Sequence, residues 1–427
     1  MHVAIVGNGV TGVSAALRLR ARQPDWRITL VSGESRYHYS RPALMYVFMG
    51  HLRYQDTKPF PDSFWGEQRL ELLRAWVTRI DLEHRRLELH GQTPLAFDKL
   101  LLATGSKPNK FGWPGQDLEG VQGLWDLMDL KRLGEACERG ARAAAIVGGG
   151  LIGIELAEML HSRGLSVTFL VREKSYWNGI LPPQESAMVN REIERHGVAL
   201  RLETQLKSIE NDGRGRVAGV VTDKGERLAC QIVGLTAGVG PNLELVKDSG
   251  IKSARGILVD RKLRTNVPDV YAAGDCAELE NPGGRNLLQQ VWYTGKMQGE
   301  HVADVMCGDD KDYDSGIWFN SAKFFDLEYQ TYGRVNLKVP GEENLYWEHE
   351  GGRKALRLVH LGGRVIGLNL MGLRLRHELA ERWIAEQRDV GYVLAHLGEA
   401  NFDPEFFARH EREIAAAFGT ARAQGVA

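Results

Sequence analysis

Short, almost unbroken apolar runs recur along the chain, each closed by glycine and followed by residues spaced at helical period. The first is "VAIV" at 3–6. A run of that kind reads as a strand buried on both faces, as in a parallel sheet. Gly7, Gly9 and Gly12 then form a Gly-x-Gly-x-x-Gly turn, and "VSAALRLRAR" continues as a helix. "RITLV" at 27–31 predicts the next strand, with Glu34 just beyond its end. The same succession returns about 140 residues later: a strand over 143–147, a turn at Gly148, Gly150 and Gly153, the helical "IELAEMLHSRG", and the strand "SVTFLV" at 166–171.

In such a turn the first glycine permits the tight bend, the second lets a pyrophosphate approach the backbone, and the third lets helix and strand pack closely. The phosphate then meets the positive end of the helix. A carboxylate past the second strand, here Glu34, suits ribose hydroxyls. One such motif is weak support, but two complete units imply two dinucleotides, most simply a bound flavin and a diffusible nicotinamide.

The pattern changes after residue 310. "KFFDLEYQTYG", "KALRLVH" and "RVIGLNLMG" read as strands separated by glycine turns, and the tail from "RHELAERWIAEQ" through "DPEFFARHEREIAAAF" has helical spacing. The expected fold class is α/β, with two Rossmann-like dinucleotide-binding domains plus an α+β C-terminal domain.

Bulk composition removes other function classes. The 427 residues carry 54 Lys+Arg against 55 Asp+Glu, a net charge of −1, so no basic field draws nucleic acid. No apolar run reaches the ~20 residues of a membrane span, and the first one is too short for a signal-peptide core. Cys137, Cys230, Cys276 and Cys307 are scattered without metal-ligand spacing. That pattern fits a reducing, cytoplasmic setting and predicts no metal site. His377 and His410 read as surface residues.

"LLATGSKP" at 101–108, "LTAGVGPN" at 235–242 and "TNVPDVYAAGDCAE" at 265–278, in order with the two glycine motifs, resemble the FAD- and NAD(P)-dependent pyridine nucleotide reductases. With "YSRPALMYVFMG" at 39–50, the ferredoxin, rubredoxin and nitrite-reductase flavoprotein branch is the nearest in kind. The resemblance covers roughly residues 1–310. It implies an FAD-binding domain split over 1–110 and 245–310, an NAD(P)-binding domain at 111–244, and an interface-type domain with a helical tail at 311–427.

By the same resemblance, Gly7, Gly9, Gly12, Glu34, Arg41, the Ala103, Thr104 and Gly105 turn, Gly238, Gly274 and Asp275 are cofactor-binding. Asp275 holds FAD, caps a helix, or does both. Gly148, Gly150 and Gly153 take the nicotinamide dinucleotide. Glu155 either stands near the reacting rings or is a first-turn acid favoured by the helix dipole. Where NAD-dependent relatives place Glu, this chain has Val171, followed by Arg172 and Lys174, which suit a 2′-phosphate. NADP is therefore favoured, with NAD possible.

Two departures matter. No cysteine precedes Cys137, so the redox-active cysteine of the disulfide reductases is missing, and thiol chemistry is excluded. The branch usually reads "RPPLSK", whose lysine lies near the flavin; Tyr46 stands at that place, to stack there or to pack in the core. The expected activity is an FAD-dependent NAD(P)H oxidoreductase passing electrons to a small redox protein such as a ferredoxin or rubredoxin, or to a small-molecule acceptor. A homodimer is expected. Competing readings are a quinone or oxygen reductase in peripheral contact with a membrane through "FFARHEREIAAAF", whose apolar stripe is more commonly a domain-packing face, and a non-catalytic flavin-binding regulator.

Overall fold

The first apolar run takes the middle of a sheet. In the computed structural model, which describes residues 1–281, 284–402 and 408–423, His2–Val6 pairs with Arg27–Ser32 on one side and Lys99–Leu102 on the other. Glu71–Arg74 and Val270–Ala272 complete the five strands, every pairing parallel. Val3, Ile5, Ile28, Leu100 and Leu101 are fully buried, as their position in a two-face-covered sheet requires. The helices Val10–Arg22 and Trp292–Met306 meet at glycines: a Cβ on Gly299 would fall 2.3 Å from the Thr11 carbonyl oxygen.

The chain gathers into two compact units. One comprises Met1–Phe111, Gln122–Gly140 and Leu235–Ser315; the other comprises Gly112–Val121, Ala141–Gly234 and Gly316–Ala427. The second unit repeats the parallel motif, with Ala143–Val147 paired to Ser166–Leu170, and that strand to Ala199–Arg201. It also holds the C-terminal sheet, five antiparallel strands in the order Phe319–Phe324, Leu327–Gly333, Arg364–Met371, Ala355–Leu361, Glu342–Glu348.

Within the second unit, an ion pair ties that sheet to the nucleotide fold. Glu185 accepts from Arg357 at 2.7 and 2.9 Å and from Asn369 at 3.1 Å, and all three side chains are buried. A buried charge is tolerable only when so paired.

The helical tail takes the domain-packing place that its apolar stripe more commonly marks. Ile414 and Phe418, on Glu411–Ala423, are 2% and 1% exposed and share a core with Trp347, Leu356 and Trp383. Ile414 and Phe418 thus cover the C-terminal sheet and are not themselves available to a bilayer; the Phe406 and Phe407 part of that stripe lies outside the described residues. Among the described residues no helix is long and apolar enough to cross a membrane.

Candidate dinucleotide sites

The three glycines of the first turn do different things. Gly7 has φ +114°, and a Cβ there would meet the Ala103 carbonyl oxygen at 2.1 Å. A Cβ on Gly12 would meet the Gly7 carbonyl oxygen at 2.0 Å. Both glycines are required by close backbone packing inside the protein. Gly9 differs, because a Cβ there meets nothing within 4 Å. It is the N-cap of Val10–Arg22, with no side chain capping the helix. A side chain there would have open space around it, and the uncapped N–H groups of this helix start suit an anion.

Around this turn the "LLATGSKP" and "AAGDC" stretches converge. Ala103 donates its N–H to the Val6 carbonyl, Gly105 (φ +69°) accepts from the Asn242 N–H, and the Thr104 hydroxyl donates to the Asn242 carbonyl at 3.1 Å. Gly238 (φ +91°) leads into Val239–Pro241, which pairs with Ser106–Pro108. Gly274 (φ +78°) donates to the Gln298 side chain at 2.7 Å, and a Cβ on it would strike the Thr11 hydroxyl at 2.4 Å. Asp275 accepts from the Ser106 hydroxyl at 2.7 Å. It lies inside a three-residue turn capped by Ala273, so it is not a helix cap. Burial pushes its carboxyl upward, opposed by the Ser106 hydrogen bond and the Arg41 charge.

Glu34 is more heavily engaged than the sequence indicates. Arg41 donates to it at 2.6 Å, the Leu127 N–H at 3.3 Å, and the Tyr39 hydroxyl also donates to it. Arg41 further donates to the Trp125 carbonyl and lies 5.1 Å from the centre of that indole. Tyr39 and Trp125 carry no motif, and only the structure brings them here. Tyr46 is half-buried on Leu44–Phe48, whose Leu44, Met45 and Phe48 take the core positions.

The second turn has the same division of labour. Gly148 has φ +118°, and Gly153 is buried in the helix Leu151–Ser162. Gly150 is the N-cap without a side-chain cap, and a Cβ there meets nothing within 4 Å. Both turns thus lead into an uncapped helix start with open space at the N-cap glycine, which leaves room for the phosphates of a dinucleotide. Tyr176, fully buried, donates its hydroxyl to the Gly150 carbonyl at 2.9 Å and fixes the turn from beneath. Nothing in the sequence marked it.

Glu155 is the fifth residue of its helix, beyond the first turn, so the dipole does not account for it. Burial pushes its carboxyl up to about 7; the Glu158 charge adds to this and Lys323 opposes it. Lys323, on the first C-terminal strand, donates to Glu158 at 2.6 Å. Val171 is fully buried against Gly149 and cannot meet a ribose. Arg172 and Lys174 are exposed beyond the strand, with Arg172 paired to Glu173 at 2.8 Å.

Cys137, Cys230, Cys276 and Cys307 are free thiols. Burial pushes the Cys230 thiol up to about 11 and raises that of Cys276, which leaves both as thiols at neutral pH. His410 is not the surface residue expected: its side chain is 10% exposed, accepts from Lys354 at 3.0 Å and lies 3.5 Å from Glu413. His349 completes that group, and Glu192, His196 and Asp326 form another. In each, a protein cation already faces the ligand atoms, Lys354 in the first and Arg195 with Arg353 in the second.

A family model described as pyridine nucleotide-disulphide oxidoreductase matches residues 1–299. The ferredoxin–NAD(+) reductase component of the biphenyl dioxygenase system of Paraburkholderia xenovorans is 33% identical over 307 residues, 71% of this chain and 74% of that protein. Rhodocoxin reductase of Rhodococcus erythropolis is 31% identical, covering 76% of each. A solved ferredoxin reductase of the CYP199A2 system from Rhodopseudomonas palustris superposes with TM-score 0.80 at 27% identity, over 87% of this chain and 91% of that one.

Proposed function

The chain belongs to the pyridine nucleotide-disulphide oxidoreductase family, and from that premise we propose how its two glycine turns divide the work of an FAD-dependent NAD(P)H oxidoreductase. The first unit holds FAD and the second holds the nicotinamide dinucleotide. Bound FAD supplies the redox chemistry, taking a hydride from the nicotinamide and passing electrons onward.

The chain's own residues bind and orient. Gly9 leaves room for the FAD pyrophosphate at an uncapped helix start, and Gly7 and Gly12 hold that start against the sheet. Asp275, its carboxylate fixed by Ser106, would accept hydrogen bonds from FAD. Glu34, steadied by Arg41, accepts from the ribose of the adenosine. In the second unit Gly150 would leave room for the other pyrophosphate, and the Glu155 carboxyl, pushed up to about 7, would hold or release a proton near neutral pH if the nicotinamide is bound near it. Arg172 and Lys174, exposed beyond the strand, would meet a 2′-phosphate and favour NADPH, while the buried Val171 offers no carboxylate to NADH.

The acceptor we propose is a small iron–sulfur or rubredoxin-type protein. Two relatives carry ferredoxin and rubredoxin in their names, and this chain has no thiol pair to take electrons instead. The observation that carries the reading is the pair of bare N-cap glycines, Gly9 and Gly150, in duplicate folds. Purified protein is expected to be yellow, with one FAD per chain released by acid. Colourless protein that takes up no FAD would overturn it.

A further inference from the structure

We infer that Trp76 is the stacking surface for the adenine ring of FAD, a proposal that rests on the first unit being the FAD site. Trp76 is 64% exposed, an unusual state for the largest apolar side chain. It is nevertheless not loose. A Cβ on Gly33 would lie 2.1 Å from the indole Cδ2, 2.4 Å from Cε2 and 2.5 Å from Cε3. Cδ2 and Cε2 are the two atoms shared by both rings, so a point that close to both lies over the ring face, not at its edge. One face of the indole therefore rests on the Gly33 backbone, where only glycine gives it room.

The backbone on either side is fixed. Ala75 donates to the Ser32 carbonyl, and the Trp76 carbonyl accepts from His90. Ser32 pairs with Arg74 in the parallel register, so Gly33–Glu34 and Ala75–Trp76 leave the sheet at the same edge. The first glycine turn leaves at that edge too, since Val6 pairs with Val31. Along the carboxyl ends of three adjacent strands the chain thus presents, in order, the bare Gly9, the carboxylate Glu34 and the indole Trp76. Adjacent strands are about 4.8 Å apart, so two steps span about 10 Å, and the carboxyl edge is where doubly wound sheets bind ligands. The chemistry of the three follows the adenosine half of a dinucleotide: anion at a helix start, acceptor for ribose hydroxyls, π-face for a purine.

The test compares FAD release from wild-type holoenzyme with that from Trp76→Phe, Trp76→Ala and Gly33→Ala, read as the rise in flavin fluorescence on dilution. Full-length chain stripped and reloaded with FMN, which lacks adenosine, is the control. Trp76→Ala is expected to weaken FAD retention by about tenfold, the loss of one base–aromatic stack, and Trp76→Phe by much less. Gly33→Ala displaces the indole and is expected to behave as Trp76→Ala, while FMN retention stays the same in all four proteins. Unchanged FAD retention in Trp76→Ala would overturn the inference. So would equal weakening of FMN, or loss of electron transfer to a protein acceptor with FAD held as tightly as before. A wild-type chain that binds no FAD would overturn both this and the reading of the first unit.

Discussion

Replacing Glu155 with Gln removes a charge that the fold opposes, so the variant is expected to be more stable than wild type at high pH but not at low pH. The carboxyl has an ordinary value of 4.5 and is pushed up to about 7 in the folded protein. Below about pH 4.5 it is protonated in folded and unfolded chains alike, and its contribution is constant. Between pH 4.5 and 7 the unfolded chain gives up the proton while the folded one keeps it, so wild-type stability falls as pH rises. Above 7 the loss is complete. The difference of 2.5 units, from 4.5 to 7, corresponds to about 3 kcal/mol at most. For a cooperative unit of roughly 150–250 residues, each kcal/mol moves the unfolding midpoint by about 2–4 °C. Thermal unfolding of both proteins at intervals from pH 4 to 9 should show a midpoint gap that opens between pH 4.5 and 7 and then stays flat. A gap that does not change with pH, or one that widens as pH falls, would refute the reasoning.

Asp275→Ala should weaken FAD retention by about tenfold or more, given the strength of hydrogen bonds to a charged group, with nicotinamide binding little changed; FAD content after gel filtration reports it. Arg172→Glu should raise KM for NADPH by about tenfold and leave NADH equal or better, measured by steady-state reduction of an artificial acceptor. If both nucleotides weaken alike, Arg172 is only a solvated side chain. Glu185→Gln leaves the buried Arg357 charge uncompensated and should destabilise the second unit by about 3–5 kcal/mol, read by urea unfolding; a loss under 1 kcal/mol would mean that the ion pair does not tie the C-terminal sheet to the nucleotide fold.

The glycine turns, their strands and the α/β class were legible because each is dictated locally. Only glycine tolerates the backbone of Gly7 or the approach of Gly12 to it, and an unbroken apolar run has few homes other than a covered parallel strand. Side-chain alliances formed at long range were not legible. Arg41 meets Trp125, Asp275 meets Ser106 and Glu185 meets Arg357 across 84, 169 and 172 positions of chain. The environment of Glu155 escaped for the same reason: its proton affinity depends on burial and on a lysine from a strand far along the sequence. The tail illustrates the opposite limit, since an apolar helical stripe looks the same whether it covers a sheet or a membrane, and only the burial of Ile414 and Phe418 distinguishes them.

The central claim is that NAD(P)H bound by one glycine turn reduces FAD held by the other. Anaerobic stopped-flow mixing of the purified holoenzyme with NADPH, and separately with NADH, tests it directly by following the absorbance of oxidised flavin. Rapid bleaching is expected with at least one of them, faster with NADPH, and colour should return when a ferredoxin or rubredoxin is added. A flavin that stays oxidised with both nucleotides, in protein shown to carry FAD, would contradict the account.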